Sequence, residues 1–225
     1  MKILLKADDF WGGGEYFYRF FELSRRLGTK INVGAVGDGV ARASQERIEH
    51  ALIYADLIEW FSHSYFHFVR PDTRIKEFFQ MSEQYQRFSI EQTNKVIKER
   101  LNFDCNAIGF PANACDETTI RLLSGAEGDL GIRKVFYLKN CYNYNELVSL
   151  GMPVIDVNGY GILETPLGID YDGFMERFLQ FEGETIVFQL HPKGWDDKSF
   201  EHYARCIEYL KNAGHTFIFI SEYDV

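Results

Sequence analysis

The sequence predicts an α/β fold, an irregular (β/α) barrel of about seven parallel strands forming a single domain over residues 1–225. Three observations predict it. Short apolar, β-branched runs alternate with longer segments of helical period, the pattern of strands joined by helical crossovers. Seven or eight such units follow one another with no Pro/Gly/Ser-rich linker and no internal repeat, so nothing marks a boundary between two lobes. The 225 residues, 46% hydrophobic and 25% charged, suffice for a sizeable core and show ordinary globular usage.

Ile3-Leu4-Leu5 opens the series as a strand. Gly12-Gly13-Gly14 then leads into a helix over 15–27, where Phe17, Phe20, Phe21, Leu23 and Leu27 recur near helical spacing and Gly28 stops it. A second unit pairs a strand over 31–36 with a helix over 43–54, and a third begins with a strand over 57–61 that ends near His63. Residues 82–101 read as a long polar helix and 106–110 as a short strand, which Pro111 separates from a helix capped by Asp116. Further strands are expected over 134–138, 154–157 and 184–190, helices over 171–181 and 198–213, and a closing strand over 216–220.

The net charge of −9, from 33 acidic against 24 basic residues, argues against nucleic acid as a partner, because no compact Lys/Arg run supplies counterion release. No apolar stretch approaches the eighteen residues of a membrane span. The charged start, Lys2 and Lys6 followed by Asp8-Asp9, lacks a secretory pattern, so a cytoplasmic protein is expected. Cys105, Cys115, Cys141 and Cys206 stand far apart without a C-x-x-C pair and read as reduced thiols.

Parallel barrels place their working residues after the C-terminal ends of strands. In this chain those positions hold Asp8 and Asp9, His63 and His67, Pro111 and Asn113, Asp156, and His191. The two imidazoles of His63-Ser64-Tyr65-Phe66-His67 stand four apart, on one face if the segment makes a helical turn. With Asp9 as third ligand they form a two-His, one-carboxylate set that leaves positions open for water, as in catalytic zinc sites. Adjacent carboxylates at a strand end also repel unless a cation sits beside them. Trp11, Phe110, Tyr160 and Trp195 offer flat apolar faces that suit a sugar ring.

The ordered set of Asp8-Asp9, His63-Ser64-x-x-His67, the Pro111 loop and a late strand ending in His191 resembles the polysaccharide deacetylase family, carbohydrate esterase family 4, from Lys6 to about Trp195. The resemblance implies an irregular barrel in which Asp8 is the general base, His191 the general acid oriented by Asp156, and Asp9, His63 and His67 the ligands of a divalent metal. That metal would be Zn2+, or else Co2+, Mn2+ or Ni2+. Ser64 would brace the histidine loop, and Phe110, Pro111, Asn113, Tyr160 and Trp195 would contact substrate. The implied reaction is removal of an acetyl or formyl group from an amino sugar of a surface polysaccharide or its precursor. The alternatives are a non-sugar amide as substrate, a binding protein that has lost turnover, and, on the ligand set alone, an iron oxygenase.

The chain departs from the family pattern in four places, one of them the fifth motif, where Gln189-Leu190-His191-Pro192 moves the family's leucine one residue closer to the histidine. The first motif lacks its following glycine and reads Lys6-Ala7-Asp8-Asp9-Phe10. An arginine that orients the base stands two residues before the proline in the family, where this chain has Gly109. The fourth motif is reduced to Asp156-Val157-Asn158-Gly159-Tyr160. Asp8 is therefore expected to lack its usual partner; Arg133, at the start of the next strand, could reach in but reads as a surface residue.

Overall fold

The computed structural model describes residues 1–70, 74–125 and 128–223. β1 (Lys2–Phe10) leads into α1 (Glu15–Leu27), and β2 (Ile31–Ala35) into two short helices, α2 (Gly37–Arg42) and α3 (Gln45–Leu52). β3 (Ile58–Ser62) is joined by a long connection to α4 (Glu83–Leu101), β4 (Ala107–Gly109) by a tight turn to α5 (Glu117–Leu123), and β5 (Lys134–Tyr137) to α6 (Tyr144–Ser149). After β6 (Val154–Asp156) come a small antiparallel hairpin, β7 (Glu164–Thr165) with β8 (Gly168–Ile169), then α7 (Tyr171–Phe178), β9 (Thr185–Leu190), α8 (Asp197–Asn212) and β10 (Thr216–Phe217).

Seven parallel strands pair in the order β9-β1-β2-β3-β4-β5-β6, and β10 pairs with the beginning of β1. Both faces of this sheet are buried, which is why its strands read as apolar runs. On β1, Ile3, Leu5 and Ala7 pack outward with Phe17, Phe20 and Phe21 of α1, whereas Leu4 packs inward with Phe61, Phe136, Ile155 and Val187. A third apolar cluster lies under α5 and α6 around Phe78, Phe110 and Tyr137.

The gap between β6 and β9 is bridged by the residues after β6. Asn158 accepts from Val187 N at 2.9 Å and donates to Thr185 O at 3.0 Å, while Gly159 N donates to Val187 O at 3.0 Å. A Cβ on Gly159 would lie 2.7 Å from that same carbonyl, so closure needs glycine there. The expected (β/α) barrel of seven parallel strands is thus the observed one.

Three local expectations differ. The helix expected over 43–54 is α3, shorter, and α2 precedes it. Gly37 and Gly39 make that stretch read as loop, yet Gly39 lets α2 sit against the first loop, where a Cβ would fall 2.7 Å from Trp11 Cα. The closing strand is only Thr216–Phe217, and the β7–β8 hairpin was not anticipated. Among the described residues no helix is long and apolar enough to cross a membrane.

Candidate active site

Consecutive residues of a strand point to opposite faces, so Asp8 and Asp9 can serve one site only if the strand is broken between them. β1 does this with a bulge: Lys6 and Ala7 pair with Asn32 and Val33, but Phe10 pairs with Ala35, leaving one extra residue on β1. Asp9 absorbs it at a left-handed φ of 67°. Asp8 keeps the inward direction of Leu4 and Lys6, and Asp9 turns toward the histidines.

Structure places His63 and His67 together, though not by a helical turn. His63 follows β3 in extended chain, and the loop reverses through left-handed conformations at Ser64 (φ 71°) and His67 (φ 51°). Ser64 Oγ accepts from His67 N at 3.0 Å, bracing the loop from within. Buried Glu77 braces it from outside, accepting from Tyr65 N at 2.9 Å, Phe66 N at 3.0 Å, Phe68 N at 2.8 Å and Ser89 Oγ at 2.6 Å. Five non-glycine residues around the site, Asp9, Ser64, His67, Ala112 and Asn113, hold positive φ. Such strain costs about 1–3 kcal/mol per residue and clusters where geometry serves function.

One ligand atom from each of Asp9, His63 and His67 lies within 4.8 Å of the others. His63 Nδ1 is 2.7 Å from Gly109 O. A carbonyl only accepts, so Nδ1 carries a proton, and in the neutral ring Nε2 is the nitrogen left to present a lone pair toward Asp9. Among the described residues Asp9 Oδ1 is buried without a hydrogen-bond partner, 3.4 Å from His63 Nε2 and 2.9 Å from His67 Nε2. Converging electron pairs of this kind fit a divalent cation, and the carbonyl behind His63 is the outer support that metal-binding imidazoles use. Burial pushes the Asp9 carboxyl up, but His63 and His67 in their protonated form outweigh it through hydrogen bonds and charge and hold the group far below the ordinary carboxylate range. For His67 burial pushes the imidazole down, and Asp9, Asp8 and Glu77 together raise it.

Asp8 and His191 stand on the opposite side of the same hollow, 4.0 Å apart. The carboxylate that pairs with His191 is Glu164, from the β7–β8 hairpin. Its Oε2 accepts from His191 N at 2.6 Å and lies 3.6 Å from Nδ1. Asp156, expected to orient His191, instead accepts from Lys139 N at 2.9 Å, because β6 ends with that side chain over the β5–α6 turn. Burial pushes the His191 imidazole down, and Glu164 and Asp8 overcome it to raise the group. Arg133 is bound to exposed Asp129 at 2.5 Å, away from Asp8. The cation on Asp8 is Lys6.

The hollow, about 430 Å³, is lined by Asp8, Asp9, His63, His67, Asn113 and His191 together with Ala112, Tyr160 and Gln189. Asn113 reaches Gln189 Oε1 at 3.4 Å, and Tyr160 is 55% exposed at the rim. Two of the expected substrate contacts are core instead. Phe110, 1% exposed, packs edge-on to Phe78 and Tyr137, and Trp195, 2% exposed, is wedged among Phe20, Phe200 and Tyr203. Both stand at strand or loop ends where core and site positions look alike in sequence. Pro111 is buried at the start of the β4 turn. A larger groove of about 1010 Å³ between α1 and α8 carries mixed charge from Glu15, Arg19, Glu22 and Arg205 but no imidazole.

No family model and no curated protein matches the chain at the level of sequence. Solved structures do match in fold. The Xyl-CE4 domain of a multidomain xylanase from the hindgut metagenome of Trinervitermes trinervoides superimposes with a TM-score of 0.69 at 19% identity, covering 98% of this chain and 88% of that one. This is the fold of carbohydrate esterase family 4. A family 4 acetyl xylan esterase from Clostridium thermocellum, solved in complex with a cobalt ion, gives a TM-score of 0.67 at 15% identity over 99% of this chain and 89% of that one. A family 4 pseudoenzyme from Bacillus anthracis gives 0.64 at 18% identity over 98% of this chain and 64% of that one. The carbohydrate esterase family 4 fold is thus carried here by a divergent sequence.

Proposed function

We propose that the protein is a metal-dependent hydrolase that removes an N-acyl group, acetyl or formyl, from an amino sugar of a surface polysaccharide or its precursor. One observation carries the reading: an Asp-His-His ligand set and a separate carboxylate–imidazole pair converge on one hollow at the C-terminal end of the barrel strands.

Asp9, His63 and His67 would hold the divalent ion, Zn2+ by preference for this donor set. When bound, the ion supplies the Lewis acidity that brings the pKa of water toward neutrality. Asp8 takes the proton of the water whose oxygen attacks the acyl carbonyl, and His191 donates a proton to the departing amine. Glu164 and Asp8 favour the protonated imidazole that this donation requires. The turn after β4, with Ala112 and Asn113 on the wall of the hollow, sets backbone dipoles beside the developing oxyanion. Tyr160 at the open rim offers its ring to the sugar.

The test is release of acetate or formate from a panel of N-acylated amino sugars and non-sugar amides by protein loaded with Zn2+ or Co2+. Release from an amino sugar that is lost with Asp8→Asn supports the proposal. Metal bound with no amide in the panel hydrolysed would instead favour a binding protein that has lost turnover; the Bacillus anthracis neighbour is described as a pseudoenzyme.

A further inference from the structure

Lys6 is an anomaly on physical grounds. It lies inside the barrel, 1% exposed, one strand step above Leu4, with its ammonium 5.4 Å from the Phe61 ring and 5.7 Å from the Phe136 ring. An isolated ammonium is expelled from such surroundings or gives up its proton. Among the described residues the anion that pairs with it is Asp8, itself 2% exposed, whose two oxygens lie 2.6 and 2.5 Å from Nζ. Gln189 Oε1, 3.4 Å away, is the other acceptor.

The space for this ammonium exists because of Gly109. A Cβ at that position would stand 3.0 Å from Phe61 Cε2 and 3.2 Å from Lys6 Cε, so any side chain from β4 would contend for the place that the Lys6 stem occupies. The same Gly109 supplies the carbonyl that fixes His63. A buried cation reaching the carboxylate from two residues earlier on its own strand, and a side-chain vacancy opposite it, are two independent features that agree.

We propose that Lys6 is the positioning residue of Asp8, fixing the plane of its carboxylate from β1 where Gly109 offers nothing from β4. Both oxygens are held by one nitrogen, so the carboxylate cannot rotate about its Cβ–Cγ bond without losing a charge-assisted contact. Its remaining lone pairs are aimed toward His191 and the hollow. Lys6 touches no substrate; it acts through Asp8. This rests on Asp8 being the base of the proposed hydrolase.

Two measurements test it. In turnover, Lys6→Met is expected to lower kcat by about 10²-fold, at the lower end of what a general base contributes, with KM and the affinity for Co2+ within about threefold of the parent protein. Moving the cation across the barrel, in Lys6→Ala/Gly109→Arg, is expected to restore at least tenfold of the loss suffered by Lys6→Ala, while Gly109→Arg alone, with two cations on one carboxylate, stays impaired. Wild-type kcat in a folded Lys6→Met protein would overturn the proposal. Thermal unfolding supplies a readout that needs no turnover. Lys6→Met leaves Asp8 buried and unpaired, whereas Lys6→Met/Asp8→Asn removes both charges, so the double variant is expected to melt above Lys6→Met. Strictly additive losses in Tm would overturn the pairing. If the parent protein hydrolyses no amide, the hydrolase reading fails, and the unfolding cycle still decides whether Lys6 and Asp8 act as a unit.

Discussion

Glu77 lies outside every motif, yet the geometry of the histidine loop depends on it, so Glu77→Gln is an informative perturbation. The side chain is fully buried and its carboxylate accepts from three backbone N–H groups, of Tyr65, Phe66 and Phe68, and from the Ser89 hydroxyl. Glutamine keeps the shape but turns one oxygen into a donor. If Oε1 survives as oxygen, the new NH2 faces Phe68 N–H across a 2.8 Å contact. Hydrogen bonds to a charged group are worth about 1.5–3 kcal/mol each, so losing the charge and setting two donors face to face should cost about 2–3 kcal/mol. At about 2–4 °C per kcal/mol for a domain of this size, Tm should fall by about 4–12 °C. The loop would also lose the anchor that keeps His67 at its left-handed φ, and weakening such outer support typically costs about 10–100-fold in metal affinity. Differential scanning fluorimetry and calorimetric titration with Co2+ read the two effects separately. An unchanged Co2+ affinity alongside the lower Tm would refute the claim that Glu77 sets the ligand geometry.

Glu164→Gln weakens the hydrogen bond that does most to raise His191 and removes one of the two charges that add to it. The general acid works protonated and activity falls as pH rises through its pKa, so the alkaline limb of kcat/KM should move to lower pH; an unmoved limb would separate Glu164 from His191. Asp8→Asn should lower kcat by about 10²–10⁴-fold while Co2+ binding, measured by titration, is retained, because Asp8 is not among the ligands. Gly159→Ala forces a Cβ to within 2.7 Å of Val187 O and 2.9 Å of Phe188 Cδ1. It should open the β6–β9 seam at a cost of about 1–3 kcal/mol, visible as a lower urea midpoint.

The barrel was legible because period and strand–helix alternation are local signals: the runs around Ile3, Ile31, Ile58 and Val187 each carry their own evidence of burial on both faces. Asp9, His63 and His67 were legible as residue types after strands, but the reason they meet was not. Spacing suggested a helical turn, whereas the real device is a β-bulge at Asp9 and a loop pinned by Glu77, and neither has a pattern in sequence. The partners of the base and acid were misjudged for a related reason. Asp156 reads as the partner of His191 because it ends a strand, and Arg133 reads as surface, where it lies, yet the side chains that reach Asp8 and His191 are Lys6 and Glu164. The position of Lys6, two residues before Asp8 on one strand and hence on its face, was the available signal. Glu164 had none, since the β7–β8 hairpin that carries it is too short to read. Phe110 and Trp195 show the converse: an aromatic beside a site is core when its ring finds aromatic neighbours inside.

The central claim is that Asp9, His63 and His67 grip one divalent ion. An anomalous-scattering map from crystals soaked in Co2+ or Zn2+ tests it most directly. The account predicts a single strong peak about 2.0–2.2 Å from Asp9 and from both imidazoles, absent in crystals of His67→Ala. A map with no peak among these three side chains, or one whose peak survives both His63→Ala and His67→Ala, would contradict it.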